Sequence, residues 1–193
     1  ILTAPAPVTS TLNPLPNAVF SGDLHICIGV TTTLTASGGG TYLWSTGATT
    51  TSINVSPAAN TTYTVTVTSA AGCSATAAAT VNVSFPPAAS ISGNTTICAG
   101  GSTTLTATGG NAYLWNTGAT TAAINVSPTT TTTYTVTVTN AANCTATATT
   151  TVTVNPQPNA AITGNTTICN GQSTTLTASG GGNYAWNTGA TTA

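Results

Sequence analysis

An all-β chain built as tandem small antiparallel sandwiches is what this sequence predicts, and three observations predict it. The first is self-similarity at a period of 71 residues: Cys27, Cys98 and Cys169 are spaced by that interval, as are Trp44, Trp115 and Trp186. The text between them nearly copies itself, TTICAGGSTTLTATGGNAYLWNTGATT from Thr95 and TTICNGQSTTLTASGGGNYAWNTGATT from Thr166. A fixed period of this length marks a string of like structural units. The second is strict apolar/polar alternation in Thr- and Val-rich runs, the period of half-buried strands. The third is the absence of any helical period.

The repeat between Pro86 and Pro156 supplies the elements in order. STTLTA over 102–107 alternates and reads as a strand, and AYLWN over 112–116 as a second. Asn116-Thr117-Gly118 is a turn. AAINV over 122–126 is a third strand, closed by Ser127-Pro128. TTYTVTVT over 132–139 puts Tyr134, Val136 and Val138 on one face and Thr135, Thr137 and Thr139 on the other. A turn over 140–143 leads to a long last strand over 146–154, with Ala148, Val152 and Val154 on one face. A short strand over 160–163 opens the next repeat. Six or seven short strands make a small two-sheet sandwich, whose core is thin, because a unit this size buries only about 60% of its unfolded surface.

The boundaries fall at Pro-rich joints, Phe85-Pro86-Pro87 and Asn155-Pro156-Gln157-Pro158, which favour semi-rigid extension. They divide the chain into repeat 1 over 14–84, repeat 2 over 85–155 and a truncated repeat 3 over 156–193. Residues 1–13 take the place of a preceding repeat's last strand. Pro5 and Pro7 restrict them to an edge strand or a free arm. With no initiating Met and an end midway through a repeat, the sequence reads as part of something longer.

Composition excludes much. Of 193 residues none is Lys or Arg and one is acidic, where an ordinary domain is about 25% charged. Nucleic acid is excluded, since phosphate contacts rely mainly on Lys and Arg, and so is the polybasic route to membranes. No apolar run reaches the roughly 18 residues that span a bilayer. Calcium needs several carboxylates, so no metal and no other cofactor is expected. Asp23 and His25 occur in the first repeat only, where repeat 2 has Asn94 and Thr96. They read as a solvated loop pair, with no general acid and base to assemble and no enzyme implied. Low charge removes the barrier to self-association, so the expected partners are neighbouring repeats or further copies, with glycans as a further possibility.

Two kinds of residue invite sharper readings. Cys27 and Cys73, like Cys98 and Cys144, are 46 residues apart. Buried thiols and one disulfide per domain are the two alternatives. The recurring spacing favours Cys27–Cys73 and Cys98–Cys144 bridges in an oxidising compartment, with Cys169 unpaired in this segment. Tyr42 and Trp44, Tyr113 and Trp115, and Tyr184 and Trp186 each share a strand face. They read as core aromatics packed against the disulfide, or alternatively as a sugar-stacking platform.

The phrases Trp115-Asn116-Thr117-Gly118-Ala119-Thr120, Ile124-Asn125-Val126-Ser127-Pro128 and Tyr134-Thr135-Val136-Thr137-Val138-Thr139, running on through Asn140-Ala141-Ala142-Asn143-Cys144, resemble the PKD-like and immunoglobulin-like repeats of secreted surface proteins of Bacteroidetes-type bacteria, gliding-type adhesins among them. The resemblance covers all but residues 1–13. It implies immunoglobulin-like sandwiches and an extracellular or cell-surface filament or adhesin stalk. Such repeats also serve as carbohydrate-binding or spacer modules beside secreted enzymes, which is the alternative role. The usual acidic turn after the Trp is replaced here by Ser45 or Asn116, so no calcium-dependent role follows from it.

Overall fold

The computed structural model describes residues 10–193, and these described residues form sixteen β-strands and no helix. The first seven are β1 (Val19–Ser21), β2 (His25–Cys27), β3 (Thr32–Ser37), β4 (Thr41–Trp44), β5 (Ser52–Val55), β6 (Thr61–Thr68) and β7 (Ser74–Ser84). They form two sheets, ordered β1-β3-β5 and β2-β7-β6-β4. The same series follows a second time as β8 (Ser90–Ser92), β9 (Thr96–Cys98), β10 (Thr103–Thr108), β11 (Ala112–Trp115), β12 (Ala123–Val126), β13 (Thr132–Thr139) and β14 (Thr145–Asn155). Its sheets are β12-β10-β8 and β11-β13-β14-β9. β15 (Ala161–Thr163) and β16 (Thr177–Ser179) pair antiparallel. By contacts the chain falls into two units. One is built on the β1–β7 sandwich with residues 107–122 and 136–148, the other on residues 91–106, 123–135 and 149–193.

The division of strands is that of an immunoglobulin-like sandwich. One three-stranded sheet faces a second sheet whose inner pair, β6 and β7, is the longest hairpin, running in register from Thr61↔Val81 to Thr68↔Ser74. The initial strand is split: β1 pairs antiparallel with β3, whereas β2 crosses to the other sheet and pairs parallel with the end of β7, His25↔Asn82 to Cys27↔Ser84. β9 repeats this against β14, Thr96↔Thr153 to Cys98↔Asn155. Against these two parallel pairs, β1–β3, β3–β5, β4–β6, β6–β7, β10–β12 and β11–β13 are antiparallel. No strand is expected at β2 or β9 from the sequence, because which strand a three-residue edge pairs with, and in which direction, is not written in its own side chains.

Alternation does the sorting. In β6 Tyr63, Val65 and Val67 are buried, and in β13 so are Tyr134, Val136 and Val138. The intervening threonines turn outward and pair across the strands, Thr62 with Thr80 at 2.8 Å and Thr66 with Thr76 at 3.3 Å between hydroxyl oxygens. Neighbouring side chains on one strand point to opposite faces, so one residue type can tile the solvent face while Val fills the core. The first sandwich's core joins Ile26, Leu34, Trp44, Ile53, Val55, Val65, Val67 and Val81. Of the arm expected over 1–13, residues 1–9 lie outside the described residues, and 10–13 form no strand.

Candidate functional site

Asp23 and His25 lie in the segment between β1 and β3. Asp23 Oδ1 accepts from the His25 backbone N–H at 2.9 Å, and its carbonyl accepts from Thr32 Oγ1 at 3.0 Å. Asn94 does the same with Thr96 and Thr103, at 3.1 and 2.9 Å. Asn165 does so with Thr167 and Thr174, at 3.1 and 3.0 Å. An amide oxygen fills this role as well as a carboxylate, so Asp23 acts here as a turn-closing acceptor. Beside it opens a cleft of about 490 Å³, walled by Asp23, His25, Cys27 and Val30 and by residues 141–143. Among the described residues no three His, Cys, Asp or Glu side chains come together to hold a metal.

Trp44 and Trp115 face inward, each 2% exposed. Their indole N–H groups donate to the carbonyls of Thr50 and Thr121 at 2.7 and 2.9 Å, and Trp186 donates to Thr192 at 2.8 Å. Trp186 is half-buried. Phe20 meets Trp44 edge to face, with ring centroids 5.4 Å apart, a contact that sequence alone did not single out. Tyr42 is partly buried against the same core. At Trp44 and Trp115 the ring is buried and its N–H already engaged, which leaves no open face for a sugar to stack on.

The cysteines depart from expectation. Cys27 is bonded to Cys144, with Cα atoms 5.6 Å apart, while Cys73, Cys98 and Cys169 are thiols. The Cys27–Cys73 and Cys98–Cys144 pairings are thereby corrected. The reason is the parallel strand. Cys27 is registered with Ser84 at the end of β7, and Cys73 precedes the first residue of that 11-residue strand. At about 3.3 Å per residue the strand separates them by roughly 35 Å, while a disulfide needs Cα atoms within about 7 Å. Likewise Cys98 is registered with Asn155, at the far end of β14 from Cys144. Nor does the bridge pack on the tryptophan: no cysteine belongs to the core around Trp44.

What brings Cys144 to Cys27 is the turn before β14. Asn140 Oδ1 accepts from the backbone N–H groups of Ala142 and Cys144, both at 3.0 Å. Its Nδ2 donates to the Phe85 carbonyl at 2.8 Å, and Cys144 Sγ lies 3.7 Å from the Ser84 carbonyl. Asn143 closes the turn at φ 61°, the left-handed conformation Asn tolerates. The turn of the second sequence repeat is thus fastened to the last strand of the first, at the end where Cys27 lies.

No family model and no curated protein matches the chain. Among solved structures it is similar to murine CEACAM1b, with a TM-score of 0.39 and 13% identity over 73% of this chain and 100% of that one. A 1.5-MDa bacterial ice-binding adhesin gives 0.37 and 18%, over 80% and 70%. A Ca2+-stabilized adhesin by which an Antarctic bacterium binds ice gives 0.41 and 19% over 78% of this chain, which spans about half of that structure at 52%. Likenesses this distant say nothing of what this chain binds. The class of protein is given by its own sheets: an immunoglobulin-like β-sandwich chain with a disulfide.

Proposed function

We propose that this chain is a structural segment of an extracellular filament or cell-surface adhesin stalk, made of immunoglobulin-like repeats and carrying no catalysis. The observation that carries the reading is the Cys27–Cys144 bridge, which joins one sequence repeat to the next rather than stapling a repeat internally. The bridge keeps a tethered chain from extending, which is what a load-bearing spacer needs, and it suits an oxidising, extracellular setting. The uncharged, Thr-covered outer faces support the same reading, because they allow close association with neighbouring repeats or copies without charge repulsion. Neither nucleic acid nor membrane insertion has a place in it, and glycans remain compatible as surface partners.

Single-molecule extension tests it. With the bridge closed, the 117-residue interval between Cys27 and Cys144 cannot open. At about 3.5 Å per residue the stretched chain then falls short by roughly 400 Å, and reductant restores that length. Equal lengths with and without reductant would overturn the locked joint. Native material showing neither fibres nor surface projections by electron microscopy would overturn the filament.

A further inference from the structure

The bridge uses one cysteine at each of two structural positions, and the chain holds unbonded cysteines at both. The first position is the end of the parallel strand. At Cys27 the following Ile28 N–H donates to the Ser84 carbonyl at 2.9 Å, and Val30 N–H donates to the Cys27 carbonyl at 3.0 Å. At Cys98 the same bonds recur, Ala99 to the Asn155 carbonyl at 2.8 Å and Gly101 to the Cys98 carbonyl at 2.9 Å. Cys98 is exposed. The second position is the turn before the long last strand. Asn140 N–H donates to the Cys144 carbonyl at 3.0 Å, and Ser69 N–H to the Cys73 carbonyl at 2.8 Å. Cys144 Sγ lies 3.7 Å from the carbonyl of Ser84, and Cys73 Sγ lies 3.8 Å from that of Asn13. Ser84 and Asn13 are themselves one sequence period apart. Cys73 therefore already rests against the chain that precedes its repeat, as Cys144 does.

We infer that Cys73 and Cys98 are sites of inter-repeat disulfides. Cys98 takes the turn cysteine of a following repeat, and Cys73 takes the strand-end cysteine of a preceding one. Successive repeats are then joined by a ladder of identical rungs, of which Cys27–Cys144 is one. The matching half can come from a neighbouring repeat of a longer chain or from a second copy of this one. Each rung forms by exchange with a small-molecule or protein disulfide. One thiol displaces a thiolate from that disulfide to give a mixed disulfide. The partner thiol then attacks the mixed disulfide, giving the rung and two reduced thiols from the oxidant. The inference stands on the bridge geometry and not on the filament reading, so either can fail alone.

The experiment equilibrates the 193-residue chain, as a mixture of isotopically light and heavy copies, in an oxidised/reduced glutathione buffer. Thermolysin digestion follows under non-reducing conditions, since trypsin has no site. Mixed-isotope peptides joining Cys73 of one copy to Cys98 or to its counterpart Cys169 of another, absent in Cys73→Ser, support the proposal with a second copy as the source. In native material, a Cys73 or Cys98 peptide bridged to a peptide outside this sequence supports it with a neighbouring repeat as the source. Cys73 bonded to Cys27 or Cys98 of the same copy would overturn it. So would Cys73 and Cys98 that alkylate as free thiols both in native material and after glutathione oxidation.

Discussion

Replacing Trp44 by Ala separates the two readings of the aromatic positions most sharply. The ring is 2% exposed, packs edge to face on Phe20 at 5.4 Å, and donates its N–H to Thr50. Truncating a buried Trp costs about 3–5 kcal/mol through lost burial and the cavity left behind. Leaving the Thr50 carbonyl unpartnered adds about 1 kcal/mol. At roughly 0.05–0.15 kcal/mol per residue, a sandwich of this size holds only about 4–11 kcal/mol in all. Trp44→Ala therefore removes most of its stability. Leu43, one residue earlier on β4, points to the other face and is 55% exposed, so Leu43→Ala shifts stability by no more than about 0.5 kcal/mol. The assay is urea unfolding followed by far-UV circular dichroism, which does not depend on the deleted fluorophore. A Trp44→Ala chain within about 1 kcal/mol of the parent, or equal losses from the two substitutions, would refute the assignment of faces.

Other substitutions probe other parts of the fold. Cys144→Ser opens a loop of 117 residues, and the chain-entropy estimate puts the loss at about 5 kcal/mol. The variant's urea midpoint should fall to that of the reduced parent and no longer respond to reductant. Gly40 has φ +96°, and a Cβ there would collide with the Thr68 carbonyl. Gly40→Ala should thus cost more than the roughly 1 kcal/mol of an unfavourable backbone conformation alone, read as a drop in thermal midpoint. Asp23→Asn should change stability by less than about 0.5 kcal/mol, because Asn94 and Asn165 already make the same bonds. A large thermal shift would mean that the carboxylate has a further role.

How much was legible follows from how local each feature is. The strand expected over 132–139 matches β13, and that expected over 112–116 ends one residue beyond β11. Period-2 alternation is written in the side chains themselves, so Val136 and Val138 announce the core without help from distant residues. The inward face of Trp115 is legible for the same reason, since it shares a strand side with Tyr113. Phe20 was not legible as Trp44's neighbour, because β1 and β4 lie in different sheets. Equal spacing of Cys27–Cys73 and Cys98–Cys144 recorded the repeat and nothing about direction. Which end of β7 each cysteine reaches depends on β2 running parallel to it, a pairing three residues cannot announce. The sequence by itself determined the repeat, the longer strands and which side of each is buried, because those rest on interactions between near neighbours in the chain. Only the tertiary structure decided the cysteine partners, because a disulfide follows distance in space, and an 11-residue strand puts the two cysteines of one repeat out of each other's reach.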